Sequence, residues 1–153
     1  YEMQSGDWSS DVCSSDLTSP STHTTSNGTV EVVCVEGDVG DAIGALGPRR
    51  ARVCELNART AMAWIAWAGA SGGAHGRRRG AATGRFGAWW ILAAIGDFLD
   101  NWPVNPDALG QFANELNWYR WDAFEPTIGW TLQLAVEDGS EGVAWAVSAR
   151  DST

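Results

Sequence analysis

Two runs of ten apolar or small residues, Ala61–Ala70 and Phe86–Ile95, constrain this chain more than any other feature of its sequence. Crossing a bilayer takes about twenty such residues, so neither run is a membrane span. Both must be covered by other parts of the protein. Asn57 is a helix N-cap and Ser71-Gly72-Gly73 a helix stop, so the first run predicts a helix from Ala58 to about Ala70, apolar on nearly every face. The second opens at Thr83 or Gly84 and predicts a helix from Arg85 to Leu99. Its Phe86, Trp89, Trp90, Ile91, Leu92, Ile95, Phe98 and Leu99 point all round, which places it at the centre of the core, covered on several sides. Gly87 would admit a close neighbour.

A third helix is the best specified. Asn105 caps it, Pro106 takes the first position, Asp107 faces the positive end of the dipole, and Leu109, Phe112, Ala113 and Leu116 recur at helical spacing. Strands flank these helices. Thr29–Val35 is rich in β-branched residues and bounded by Asn27-Gly28 and Gly37. Trp118–Ala123, Gly129–Val136 and Gly142–Ala149 follow the third helix, the last two joined by Glu137-Asp138-Gly139-Ser140-Glu141-Gly142 as an antiparallel hairpin. Residues 38–56 stay open: Asp38–Leu46 reads as a short helix, and Ala51–Leu56 as a strand or a helical approach. The reading is therefore α+β: an antiparallel sheet with a C-terminal three-strand meander and about three helices packed on one face.

The chain has 153 residues, enough for one ordinary domain. All ten of its basic residues are arginine, which excludes the P-loop lysine, Schiff-base chemistry and lysine general bases. A formal charge of −9 argues against a nucleic-acid partner. Residues 1–28 carry Ser, Thr, Asp and Asn with almost no apolar side chains, so they are expected to be disordered, with no apolar run of signal-peptide length. Residues 29–153 then form the single domain, expected to be soluble and cytoplasmic.

Within that first segment, Asp7-Trp-Ser-Ser-Asp-Val-Cys-Ser-Ser-Asp-Leu17 resembles the translation of a sequencing adapter. The stretch from Ala63 to Ile95, containing Ser71-Gly-Gly-Ala-His-Gly76 and Gly84-Arg-Phe-Gly-Ala-Trp-Trp90, resembles an uncharacterised family of hypothetical proteins from high-GC, actinobacterial-type bacteria. So does the Trp-rich C-terminal pattern ending Gly142-Val-Ala-Trp-Ala-Val-Ser-Ala-Arg150. The chain has His75 where that pattern has a tyrosine. The resemblance implies no activity or cofactor; it implies a C-terminal part of a longer protein, lacking an N-terminal helical region.

Few constellations suit chemistry. Cys34 and Cys54 stand within apolar runs with no ligand spacing, so they read as two buried thiols or, as an alternative, a disulfide. No metal site or cofactor is indicated, and Cys34 with His75 is a poor nucleophile and base. Asp97 with Asp100, and Asp122 with Glu125, are paired carboxylates that fit helix or turn ends better than a glycosidase pair. Trp118, Trp121 and Trp130 near Asp122 and Glu125 have the composition of a sugar platform, yet Trp130 and Trp145 lie on apolar-alternating faces and Trp89-Trp90 inside a buried helix, so core packing is the expected role. The remaining candidate is loop 71–85. Its glycines let backbone approach a ligand, and Arg77, Arg78, Arg79 and Arg85 with the helix start at Gly84 suit a phosphate or carboxylate. The expected function is a non-catalytic binding or interaction domain, its partner a missing N-terminal region or another protein. The alternative is an anion-binding or enzymatic domain using that loop.

Overall fold

The structure, a computed structural model, describes residues 28–74, 77–126 and 129–151. The expectations for residues 1–27 and for His75 lie outside that set. The β-branched run from Thr29 forms β1 (Thr29–Glu36). A closed capping box starts α1 (Val39–Ala45): the Asp38 side chain accepts from the Asp41 N–H at 3.0 Å, and Asp41 accepts from the Asp38 N–H at 3.2 Å. The open stretch after Gly47 settles as β2 (Arg52–Leu56).

Asn57 accepts from the Thr60 N–H at 2.8 Å and begins α2 (Ala58–Ser71), which Gly72 ends in the left-handed conformation. The second apolar helix, α3 (Ala81–Ile95), starts and stops earlier than its sequence implies. Gly96 and Asp97, the latter at φ 56°, break it, and Leu99–Asn101 continues as one 3-10 turn. Asn105 accepts from the Asp107 N–H at 2.9 Å to cap α4 (Pro106–Glu115). Then come β3 (Asn117–Asp122), β4 (Trp130–Asp138) and β5 (Val143–Asp151).

All neighbouring strands are antiparallel, in the order β1-β5-β4-β3-β2. The C-terminal meander is thus the middle of a five-stranded sheet, with β1 and β2 added at its edges. The α+β class holds, with four α-helices among the described residues.

Three helices, α2, α3 and α4, share one face as expected, and one point is corrected: a further short helix, α1, lies on the other face. Trp118, Leu134, Val136 and Trp145 point to the side that α2, α3 and α4 cover. Trp121, Ala135, Ala144 and Ala146 point to the other side, where Ala42 and Ile43 of α1 pack on them. The alternation in β5 made Ala144, Ala146 and Ser148 look like a solvent face. Ala144 and Ala146 are small because α1 lies close against them, and all three are buried.

A second correction concerns the two apolar helices. Phe86 is 57% exposed, Trp67 is 45% exposed and Trp90 is half-buried, so neither helix is covered all round. Small residues make the contact between them instead. Gly84 packs against the Ala66 carbonyl and Ala70, and a Cβ on Gly69 would lie 3.3 Å from the Gly84 Cα. The large residues of α3 are displaced to its flanks because its inner stripe is Gly84, Ala88, Leu92 and Ala93. Leu92, fully buried, is the large side chain at the centre. Gly87 meets nothing within 4 Å, so the close approach belongs to Gly84.

Among the described residues, no helix is long and apolar enough to cross a membrane.

Candidate functional site

The ladder between β3 and β4 runs from Asn117 opposite Glu137 only to Arg120 opposite Leu134. Beyond that point β3 stays paired to β2 through Asp122, while β4 stays paired to β5 from Trp130 onward. Two strands held by their outer neighbours but not by each other leave a wedge in the sheet. The wedge opens as a cleft of about 520 Å³, inside the range of small-molecule sites.

Asp122 explains why the strands part. Its Oδ2 accepts from Arg52 Nε at 3.0 Å and Nη2 at 2.7 Å, and its Oδ1 accepts from the Phe124 N–H at 3.0 Å. The bond from the Phe124 N–H accompanies a sharp turn after β3, with Phe124 at φ 59°, an uncommon conformation for a bulky residue. Two guanidiniums approach the exposed Phe124 ring, Arg50 at 5.5 Å and Arg52 at 5.4 Å from its centroid. Hydrogen bonds from the Arg52 guanidinium, then from the Phe124 N–H, hold the Asp122 carboxyl below the usual carboxylate range.

The cleft floor is Trp121, buried, with its indole N–H donating to the Leu134 carbonyl at 3.2 Å. Leu132 and Leu134 line it from one sheet face, Thr131 and Gln133 from the alternate positions. Trp64 of α2 roofs it, and the Arg120 guanidinium stacks 4.7 Å from the centroid of that ring.

The candidates of the sequence distribute as follows. Asp122 and Glu125 both line the cleft, but each is paired, Asp122 with Arg52 and Glu125 with Arg150. A carboxyl whose pKa is lowered is the wrong partner for general-acid work near neutral pH. Asp97 and Asp100 are exposed at the turn after α3. Trp118 is buried and donates its N–H to the Ala113 carbonyl at 2.8 Å, while Trp130 stacks on Trp67 at 5.5 Å, so neither joins Trp121 in a platform. Cys34 and Cys54 sit on opposite edge strands with three strands between them. At roughly 4.8 Å per strand they are far beyond disulfide reach, and Cys54 is exposed rather than buried. No three metal-ligating side chains gather among the described residues.

In the Gly/Arg loop, Arg77, Arg78, Arg79 and Arg85 are all exposed. Gly84 is buried under α2, so its backbone faces a helix and not a ligand. The loop is anchored by an acid: buried Asp151, at the end of β5, accepts from the Ala74 N–H at 2.7 Å, and its Oδ2 fills the space a Cβ on Gly73 would need.

Sequence reasoning missed Arg120, Trp64, Arg52, Phe124 and Gln133 as one site. They come from three strands, a helix and a turn, and no local spacing signals them.

With this geometry in view, the chain can be placed: it belongs to a family of unknown function, DUF6183, whose pattern matches residues 23–153. No curated protein matches the chain, and no solved structure does.

Proposed function

We propose that this chain is a non-catalytic binding domain and that the cleft between β3 and β4 is where it takes a small ligand. The single observation that carries this reading is the end of the β3–β4 ladder at Arg120 and Leu134, which leaves an open space lined by Trp64, Trp121, Phe124, Leu132, Gln133 and Arg120. The lining mixes aromatic and apolar side chains with charged and polar ones, and a concave space of this size is a usual place for a small ligand. Binding in place of catalysis follows from the acids: both carboxylates of the lining are engaged by arginines and no nucleophile stands beside a base there.

The test fills the cleft. A fragment collection of neutral and charged small rings should raise the melting temperature of the wild-type chain, since a ligand of the folded state stabilises it by mass action. Gln133→Trp, which occupies the same space from the rim, should abolish those shifts while the protein still unfolds cooperatively. Equal shifts in both proteins would reject the cleft.

A second reading keeps an anion at loop 71–85. It is supported by the exposure of Arg77, Arg78, Arg79 and Arg85, none of them in an ion pair among the described residues. Phosphate should then raise the melting temperature at low salt, and Arg77, Arg78 and Arg79 changed together to Gln should remove the effect. No rise, or the same rise in the triple variant, discards it.

A further inference from the structure

We infer that the ligand of the cleft is a monoanionic planar carboxylate carried on a flat ring, and that Arg120 is the residue that selects it. This inference rests on the cleft reading and adds the ligand class.

Charge pairing comes first. Four charged side chains line the cleft: Arg52, Arg120, Asp122 and Glu125. Asp122 takes Arg52 and Glu125 takes Arg150, which leaves Arg120 in no ion pair among the described residues, its charge acting on Asp122 without direct contact. With Arg150 counted, three guanidiniums stand against two carboxylates, an excess of one positive charge. A dianion such as a phosphate monoester would bring a second negative charge toward the two carboxylates, where like charges disfavour it.

Geometry narrows the class further. The Arg120 guanidinium sits over the Trp64 ring, 4.7 Å from its centroid, and its N–H donors lie in the plane of the fork. An in-plane fork matches a carboxylate edge-on, with two parallel hydrogen bonds, and a lysine in its place would offer only a point charge. The cation–π contact with that indole favours this placement of the fork, which reduces the side-chain freedom lost on binding. Leu132, Leu134 and the Phe124 ring supply an apolar wall for the body of the ligand, and the Gln133 amide supplies a donor and an acceptor at the rim.

The experiment uses three probes of one shape: benzoate, benzamide and phenyl phosphate. Each is titrated into the full chain while the indole N–H signals of Trp64 and Trp121 and the Arg120 Nε–H signal are followed by NMR. Benzoate should move all three signals saturably, and benzamide should bind about tenfold more weakly, the loss expected for one charge-assisted pair. Phenyl phosphate should weaken relative to benzoate as pH rises and it becomes a dianion. Arg120→Gln should lower benzoate affinity about tenfold and leave benzamide unchanged, and Arg120→Lys should not restore it. Arg120 is exposed, so both variants should keep the wild-type melting temperature within a few degrees. Benzamide binding as well as benzoate with the same indole shifts overturns the carboxylate assignment and leaves the cleft reading standing. Benzoate that moves none of the three signals overturns the assignment too. The cleft reading falls with it when neutral fragments also leave Trp64 and Trp121 unmoved.

Discussion

Gly84 of α3 lies against the carbonyl oxygen of Ala66 in α2, so closely that a methyl group on Gly84 would overlap that oxygen. A backbone atom cannot rotate aside, so Gly84→Ala must push two helices apart. The expected cost is about 2 kcal/mol, within the usual range for overpacking, read as a lower urea midpoint at unchanged m-value. Gly87→Ala, in the same helix with open space around it, should instead raise stability by up to about 1 kcal/mol through helix propensity. A Gly84→Ala variant as stable as the wild type would mean that the helices are not in contact there.

Leu92 is the large side chain with no exposure, so Leu92→Ala should cost about 2–5 kcal/mol. Phe86, 57% exposed and touching Trp102 edge-on at 5.8 Å, should cost under about 1.5 kcal/mol when changed to Ala. Chemical denaturation of the pair checks the order. The reverse order would place the core on the other side of α3.

How much of this was legible in the sequence differs by element. Asn105-Pro106-Asp107 and the spacing of Leu109, Phe112 and Ala113 specify α4 because capping and amphipathicity are local. The hairpin of β4 and β5 was legible for the same reason: alternation and a turn are read within one stretch of chain. The second helical layer was not. Ala144 and Ala146 look identical whether a small residue faces water or a close-packed helix, and only the register with β4 and the position of α1 decides. Trp89 and Phe86 misled in the opposite sense, since an apolar helix with an inner stripe of Gly and Ala buries its small residues and exposes some large ones. The cleft was illegible because Trp64, Arg120 and Gln133 are brought together by strand order.

Asp122 gives a pH-dependent signature. Its carboxyl is held low chiefly by the Arg52 hydrogen bonds. A folded-state pKa below the unfolded one means that the pair's contribution is present above the usual carboxylate range and is lost as pH falls through the lowered value. Carboxyl NMR should place the Asp122 midpoint below that of an unperturbed aspartate, and Arg52→Gln should move it upward. An unchanged midpoint in that variant would mean that the ion pair does not form in solution.

Asp151 makes a separate prediction about the Gly/Arg loop. Its Oδ2 accepts from the Ala74 N–H, so Asp151→Ala should speed hydrogen exchange at Ala74 relative to the α2 amides. Gly73, at φ 82° and against that carboxylate, should tolerate no side chain: Gly73→Ala should destabilise the protein more than Gly47→Ala, where φ is also positive but nothing lies within 4 Å. Equal costs at the two glycines would show that the Asp151 contact is absent.

The central claim is that the space between β3 and β4 is an open binding site rather than a gap closed in solution. The most direct measurement is the indole region of a proton-nitrogen NMR spectrum recorded with and without a mixture of small aromatic fragments. Trp64 and Trp121 line the cleft, whereas Trp118 is buried in the core with its N–H on the Ala113 carbonyl. The account predicts saturable shifts of the Trp64 and Trp121 signals with Trp118 unmoved. Shifts spread evenly over all the indoles, or confined to tryptophans away from the cleft, would contradict it.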